Sequence, residues 1–201
     1  MSVKHLKTDL KFYPLTTERW ADLEQLFGSH GSCRSCWCMW WRLKRAEFNR
    51  MKCEGKRLAF KRIVNSGEIP GILAYTDGQP VAWCAVAPRE AYSGLERSRT
   101  LKRIDDKPVW SVVCFFVAKQ FRGRGITGKL LDAALEHVRK QGGKIVEAYP
   151  VEPKKGRIPD AHAYTGLAST FRKAGFVEML RRSETRPIMR YFIEEKNISK
   201  V

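Results

Sequence analysis

Apolar positions recur along this chain with two periods, and the switches between them mark out its elements. Residues 10–15 read as a first strand. Trp20, Leu23, Leu26 and Phe27 then share one helical stripe, with Thr16 and Thr17 as hydroxyl caps and Glu18 in the first turn. After a loop over 28–35, helical spacing resumes over 45–65 and stops at Ser66-Gly67. Two β-rich runs, 69–75 and 81–87, flank Asp77-Gly78, a tight-hairpin signal. Residues 89–107 are charged and irregular. From 109 to 117 β-branched and aromatic residues dominate, which predicts a buried strand, and Ile126, Leu130, Leu131, Ala134, Leu135 and Val138 return at helical spacing. A strand over 144–149 follows Gly142-Gly143. The loop over 150–163 holds three prolines and exceeds what a connection needs. A helix over 166–174 and strands over 177–181 and 189–193 complete the order βααβββαβαββ, which predicts an α/β chain with a mixed sheet and helices on both faces.

The joint between the 109–117 strand and the following helix carries the clearest chemistry. It reads Val117-Ala-Lys-Gln-Phe-Arg122-Gly123-Arg124-Gly125-Ile126-Thr127-Gly-Lys-Leu130-Leu131. Gly123 and Gly125 let successive N–H groups point outward at the positive end of a helix dipole, which suits a pyrophosphate. A Walker loop needs another glycine interval and a hydroxyl after Lys129. Gly123-x-Gly125-x-x-Gly128 does satisfy the dinucleotide string. The strand before it lies past the middle of the chain, however, and Glu147 sits inside the next strand rather than at its end.

The stretch resembles the acetyl-CoA-binding motif of the GNAT superfamily of N-acyltransferases, Arg/Gln-x-x-Gly-x-Gly/Ala after a strand ending in Val. Arg122-Gly123-Arg124-Gly125-Ile126-Thr127 matches except at Thr127, and Gln120-Phe-Arg-Gly123-Arg-Gly125 is an alternative register. Phe171-Arg-Lys-Ala-Gly175-Phe176 is similar to the superfamily's Tyr-x-Lys-x-Gly-Phe. Cys36-Trp-Cys-Met-Trp-Trp-Arg42 is similar to a segment of a poorly characterised bacterial subgroup. The resemblance covers about residues 9–194. It implies an acyl-CoA N-acyltransferase fold with a mostly antiparallel sheet, and transfer of an acetyl group from acetyl-CoA to a primary amine, on a small molecule or a peptide, by direct attack in a ternary complex. It further implies that Phe115, Val117, Arg122, Gly123, Arg124, Gly125, Ile126, Thr127 and Phe171 bind the acetyl-CoA. A non-catalytic acyl-CoA-binding or regulatory domain of the same fold is the alternative.

Acyl transfer to an amine needs a neutral nucleophile, a polarised carbonyl and a proton for the departing thiolate. The superfamily's tyrosine acid falls at Phe171, which cannot donate, so Tyr164 is the candidate acid; its other reading is a half-buried aromatic. Glu147 is either a base set among apolar groups, sharing a face with Ile145 and Tyr149, or a solvated strand acid. For the acceptor, the implied flanks are the Trp37, Trp40 and Trp41 segment and the long loop with Asp160 and His162, together with Tyr149. Aromatic faces and carboxylates both favour an amine. The tryptophans read equally well as core.

Size and composition fit this picture. A chain of 201 residues with 43% hydrophobic content is expected to form one domain, residues 1–201. It has no run of about 20 apolar residues, and no signal peptide is expected, so a cytoplasmic protein with no membrane association is expected, as monomer or homodimer. The formal charge of +17 attracts polyanions, coenzyme A among them. Basic residues are scattered without aromatic alternation, so no specific nucleic-acid partner is expected. Six cysteines without a secretory context read as thiols. Cys33-x2-Cys36-x-Cys38, with His30 or Cys53, offers zinc ligands but lacks a second separated pair, and no metal is expected.

Overall fold

The computed structural model describes residues 9–29, 35–154 and 163–194. Its strands are β1 (Lys11–Pro14), β2 (Gly71–Thr76), β3 (Gln79–Pro88), β4 (Trp110–Val117), β5 (Ile145–Ala148), β6 (Val177–Arg181) and β7 (Pro187–Phe192). Its α-helices are α1 (Trp20–Phe27), α2 (Arg45–Arg50), α3 (Cys53–Asn65), α4 (Ser93–Glu96), α5 (Ile126–Lys140) and α6 (Ala168–Lys173). The strands form one seven-stranded sheet in the order β1-β2-β3-β4-β5-β7-β6. Only the β4–β5 pair is parallel. The mixed, mostly antiparallel α/β architecture expected of the sequence is the one present.

Both faces of the sheet are buried, because β2 and β3 are apolar almost throughout. On one face α5 lays Ile126, Leu130, Leu131, Ala134 and Val138 against Ile72, Ala74, Ala82, Val112 and Val146, and α6 adds Phe171. On the other, Trp20, Leu23 and Phe27 of α1 and Phe60 and Val64 of α3 pack with Trp37, Leu73, Trp83 and Val113. Full burial of such side chains contributes about 1.5–3 kcal/mol each, so these two layers dominate the stability of the sheet.

The sheet's irregularities position the site. Ala85 and Val86 of β3 face Cys114 and Val112, so Val113 is an extra residue in β4. Pairing of β4 with β5 covers only Trp110–Val112, so among the described residues the rest of β4 has no strand on that edge. There the chain at 163–168 takes over: the Phe115 amide donates to the Tyr164 carbonyl at 2.6 Å, and Val151 and Leu167 form a parallel bridge.

Several expected elements differ from the observed ones, and the stretch expected to be irregular over 89–107 holds the short α4. The helix over 45–65 is broken, with Met51 and Lys52 extended between α2 and α3. No glycine or proline marks this break. It turns Phe48 edge-on to Trp40, at 5.1 Å between ring centroids, and places the Lys56 ammonium 3.8 Å from the Phe48 ring centroid. The Thr16 hydroxyl makes no capping bond, and the first turn before α1 is a 3-10 turn over Thr17–Arg19. The last helix starts at Ala168 instead of 166, because Gly166 has a φ of 83°. The final strand begins at Pro187, two residues early. Among the described residues no helix is long and apolar enough to cross a membrane.

Candidate active site

The open edge of β4, the turn after it and the 163–170 segment enclose a groove of about 580 Å³. Phe115, Phe116, Val117, Phe121, Arg122 and Tyr164 line it, and Gly123, Gly125, Ile126 and Thr127 form one end. Gly123 and Gly125 have φ of 75° and 73°, in the left-handed region, and a Cβ at either would meet nothing within 4 Å. Gly125 is the N-cap of the 15-residue α5, which has no side-chain cap. The first amides of a helix have no partner within it, so those of α5 face the groove from its positive end. Strand alternation turns the Val117 amide the same way as that of Phe115, and the Val117 carbonyl accepts from Arg122 Nε at 2.9 Å.

These features fit an acyl-CoA. Helix amides and the guanidinium of Arg122 suit a pyrophosphate, and a strand edge suits an amide-bearing arm. Of the nine residues expected to hold it, Phe115, Val117, Arg122, Gly123, Gly125, Ile126 and Thr127 line the groove. Arg124 is exposed and lies over the Phe121 ring, 5.5 Å from its centroid, outside the lining. Phe171 is fully buried behind the groove, against Phe115 and Phe176, so it has no surface to offer a ligand.

Tyr164 is in the groove, although not by the helical route that the sequence suggests, since α6 starts four residues after it. Gly166 allows this: a Cβ there would sit 2.7 Å from the Phe171 ring and 3.2 Å from that of Phe115. Phe116, Phe121, Leu167 and Thr170 also line the groove and were not anticipated. Phe116 was readable, because a strand that loses its neighbour exposes residues on both faces. Phe121 lies within the glycine-turn stretch itself, whereas Leu167 and Thr170 depend on a chain reversal with no local signal.

Glu147 is neither solvated nor set among apolar groups. It is 1% exposed; Arg89 Nη1 donates to Oε1 at 2.8 Å, Arg190 Nε to Oε2 at 2.8 Å and the Tyr149 hydroxyl to Oε1 at 2.7 Å. Arg89 also donates to Glu96 and to the Leu101 carbonyl, and Arg190 holds both oxygens of Asp105 at 2.7 and 2.9 Å. Burial, and then the neighbouring Glu147 charge, push the Tyr149 phenol well above its ordinary range, so it keeps its proton. Hydrogen bonding to Arg190 holds the Asp105 carboxyl at about 2. With both oxygens engaged and no place in the described groove lining, Glu147 is the centre of a buried ionic knot. Tyr149 belongs to that knot and not to an acceptor pocket.

The tryptophans divide. Trp37 is core, stacked on Trp20 at 6.1 Å and edge-on to Phe27 at 5.5 Å. Trp40 and Trp41 are half-buried, but the Arg45 guanidinium lies 4.0 Å from the Trp40 ring centroid, on the position a ligand cation would take. Neither lines the groove. Asp160 and His162 lie outside the described residues, as do Cys33 and His30. Among the described residues no group of three or more potential ligands is arranged to hold a metal ion.

No curated protein sequence matches the chain. Solved structures do match it in shape. PaiA N-acetyltransferase from Thermoplasma acidophilum, in complex with coenzyme A, is 14% identical, covers 92% of this chain and 99% of its own, and has a TM-score of 0.51. The polyamine N-acetyltransferase of Drosophila melanogaster is 10% identical, with 92% and 100% covered and a TM-score of 0.52. The ribosomal-protein-alanine N-acetyltransferase of Brucella melitensis is 15% identical, with 91% and 99% covered and a TM-score of 0.51. At these identities the likeness is one of fold. Residues 36–159, which span β2 to β5 and the glycine turn, match the acetyltransferase (GNAT) family in sequence. The groove therefore sits on a chain that belongs to the GNAT acetyltransferase family.

Proposed function

We propose that the protein transfers an acetyl group from acetyl-CoA to a primary amine by direct attack in a ternary complex. The observation that carries this reading is the groove itself: two left-handed glycines at the N-terminus of α5, in open space, at the end of a strand that runs on beyond its pairing with β5. In this reading the amides of Gly125, Ile126 and Thr127 and the Arg122 side chain bind the pyrophosphate. The Val117 amide orients the pantetheine arm, and the thioester lies beside Phe115, Phe116 and Tyr164. The arm supplies an activated acyl carbon; the chain fixes where that carbon sits.

Among the described residues the groove lining carries no carboxylate. In this reading the nucleophile enters as the neutral amine, and catalysis rests mainly on holding it against the acyl carbon, a contribution that reaches several kcal/mol in favourable geometry. The Tyr164 hydroxyl is the proton donor to the departing thiolate. Amines whose unperturbed pKa lies near 8, such as a peptide α-amino group, supply more of the neutral form at pH 7 than a lysine-like amine does.

The test is release of free thiol from acetyl-CoA in the presence of a panel of α-amino peptides, polyamines and arylamines. Turnover with any of these at a rate well above hydrolysis supports the reading. Tight acetyl-CoA binding without turnover on any amine would instead favour a non-catalytic acyl-CoA-binding domain.

A further inference from the structure

The segment after α1 carries a chemistry that the groove does not use. Ser35, Trp37 and Cys38 have φ of 60°, 44° and 52°, all in the left-handed region and none a glycine. Each costs about 1–2 kcal/mol, and such strain persists only where the surroundings over-determine it. Here the surroundings are the Trp37 packing and a bond from Trp37 Nε1 to the Cys53 sulfur at 3.2 Å. The result is that the Cys38 side chain is turned down onto β3 and β4.

Trp83 Nε1 donates to the Cys38 sulfur at 3.1 Å, and Cys114 of β4, whose thiol donates to the Phe115 carbonyl at 3.8 Å, packs against the same core cluster as Cys38. The Arg42 guanidinium stands nearby. Among the described residues its Nη2 is buried with no hydrogen-bond partner and its anionic contact is a long 3.4 Å approach to Glu68. A buried cation short of acceptors favours an anion beside it. The neighbouring Cys114 thiol, the indole and the Arg42 charge together lower the Cys38 thiol, whereas burial raises that of Cys84. Cys38 is 7% exposed, while Cys114 is partly open and precedes the groove-lining Phe115 and Phe116.

We propose that Cys38 and Cys114 form an oxidisable dithiol, converted by a hydroperoxide to a disulfide that ties residues 35–43 to β4 beside the groove. The more open Cys114 reacts first: its sulfur attacks the outer peroxide oxygen, the O–O bond breaks, and a sulfenic acid and an alcohol (water, from hydrogen peroxide) result. The Cys38 thiolate then attacks the Cys114 sulfur; the S–S bond forms, and the hydroxyl leaves as water with a proton from solvent. Two thiols lose two hydrogens, and the peroxide is reduced to alcohol and water. Cys84, held protonated and fully buried, does not take part.

The experiment is treatment of the full chain with hydrogen peroxide near one equivalent, alkylation of the remaining thiols, and peptide mapping without reductant. The expected product is one species, two hydrogens lighter, in which the Cys38 peptide is linked to the Cys114 peptide, and dithiothreitol reverses it. Cys114→Ser abolishes the link, and Cys84→Ala leaves it unchanged. A link from Cys38 or Cys114 to any other cysteine overturns the proposal, as does sulfinic acid without a link or unreacted thiols after excess peroxide. The mapping of the unsubstituted chain decides the matter even if a variant does not fold.

Discussion

The groove and the ionic knot both grow from the place where β4 and β5 part, yet they are built from opposite materials. The groove is made of backbone: a strand edge, the first amides of α5 and two glycines whose missing side chains leave open space. The knot is made of side chains, with Glu147 bonded to Arg89 58 residues away and to Arg190 43 residues away in sequence. One is open; the other is closed and already satisfied. Ligand binding in the groove should therefore depend most on backbone freedom, and the knot on side-chain identity.

The largest effect is expected in the knot. Glu147→Ala leaves two buried guanidiniums without their shared anion, and breaking such an arrangement costs about 3–5 kcal/mol. In a chain this size that lowers the melting temperature by about 10 °C, measurable by scanning calorimetry. Acetyl-CoA affinity of the folded variant should stay within a few-fold. Unchanged stability with lost turnover would reverse the contrast and support Glu147 as a base.

Gly123→Val with Gly125→Val probes the other side. Each side chain has room but is forced into a left-handed backbone at about 1–2 kcal/mol, so the turn relaxes and its amides lose their aim. Titration calorimetry should show acetyl-CoA binding weakened by about 100-fold or more, with the fold retained by circular dichroism. Equal affinity in this variant would remove the turn from the binding site.

The same division explains what could be read from the sequence. Glycines at a strand-to-helix joint report a backbone need that is local, so the strand over 109–117, α5 and seven of the groove residues were legible. Glu147 was visible as an inward-facing strand acid, but its partner Arg89 comes from a stretch that reads only as charged and irregular and its partner Arg190 from the last strand, and no local pattern reveals that either is buried. Trp37 gives the same lesson from the apolar side: a tryptophan-rich run is equally a pocket wall or a core, and only the packing on Trp20 and Phe27 decides. The break at Met51 and Lys52 was unreadable because side-chain packing, not a breaker residue, sets it.

Tyr164→Phe tests the one side chain to which the groove reading gives a chemical role. Loss of a proton donor lowers kcat by about 100-fold, and KM for acetyl-CoA should hardly move, because the Tyr164 carbonyl still takes the Phe115 amide. Phe171→Tyr, by contrast, buries a hydroxyl between Phe115 and Phe176 and should reduce stability without raising the rate. Equal kcat for Tyr164→Phe and the unsubstituted protein would leave the groove a purely backbone device.

The smallest effect lies at the rim of the knot, and its sign follows from linkage. Asp105 is held at about 2 by its two bonds to Arg190, below the ordinary value of about 3.9 for an unfolded chain. Between those values the unfolded state takes up a proton that the folded state refuses. The contribution is thus fully present above pH 4 and is lost as pH falls through about 2. The Asp105 side chain is 37% exposed, so solvent screening limits the pair to about 1 kcal/mol, well below the cost of opening its buried neighbour. Asp105→Asn should lower stability at pH 7 by about that amount and flatten the stability curve between pH 4 and pH 2, as followed by urea unfolding across that range. An Asn variant as stable as the parent at pH 7 would mean that Arg190 is anchored by Glu147 alone, and the knot would end at the buried edge of β7.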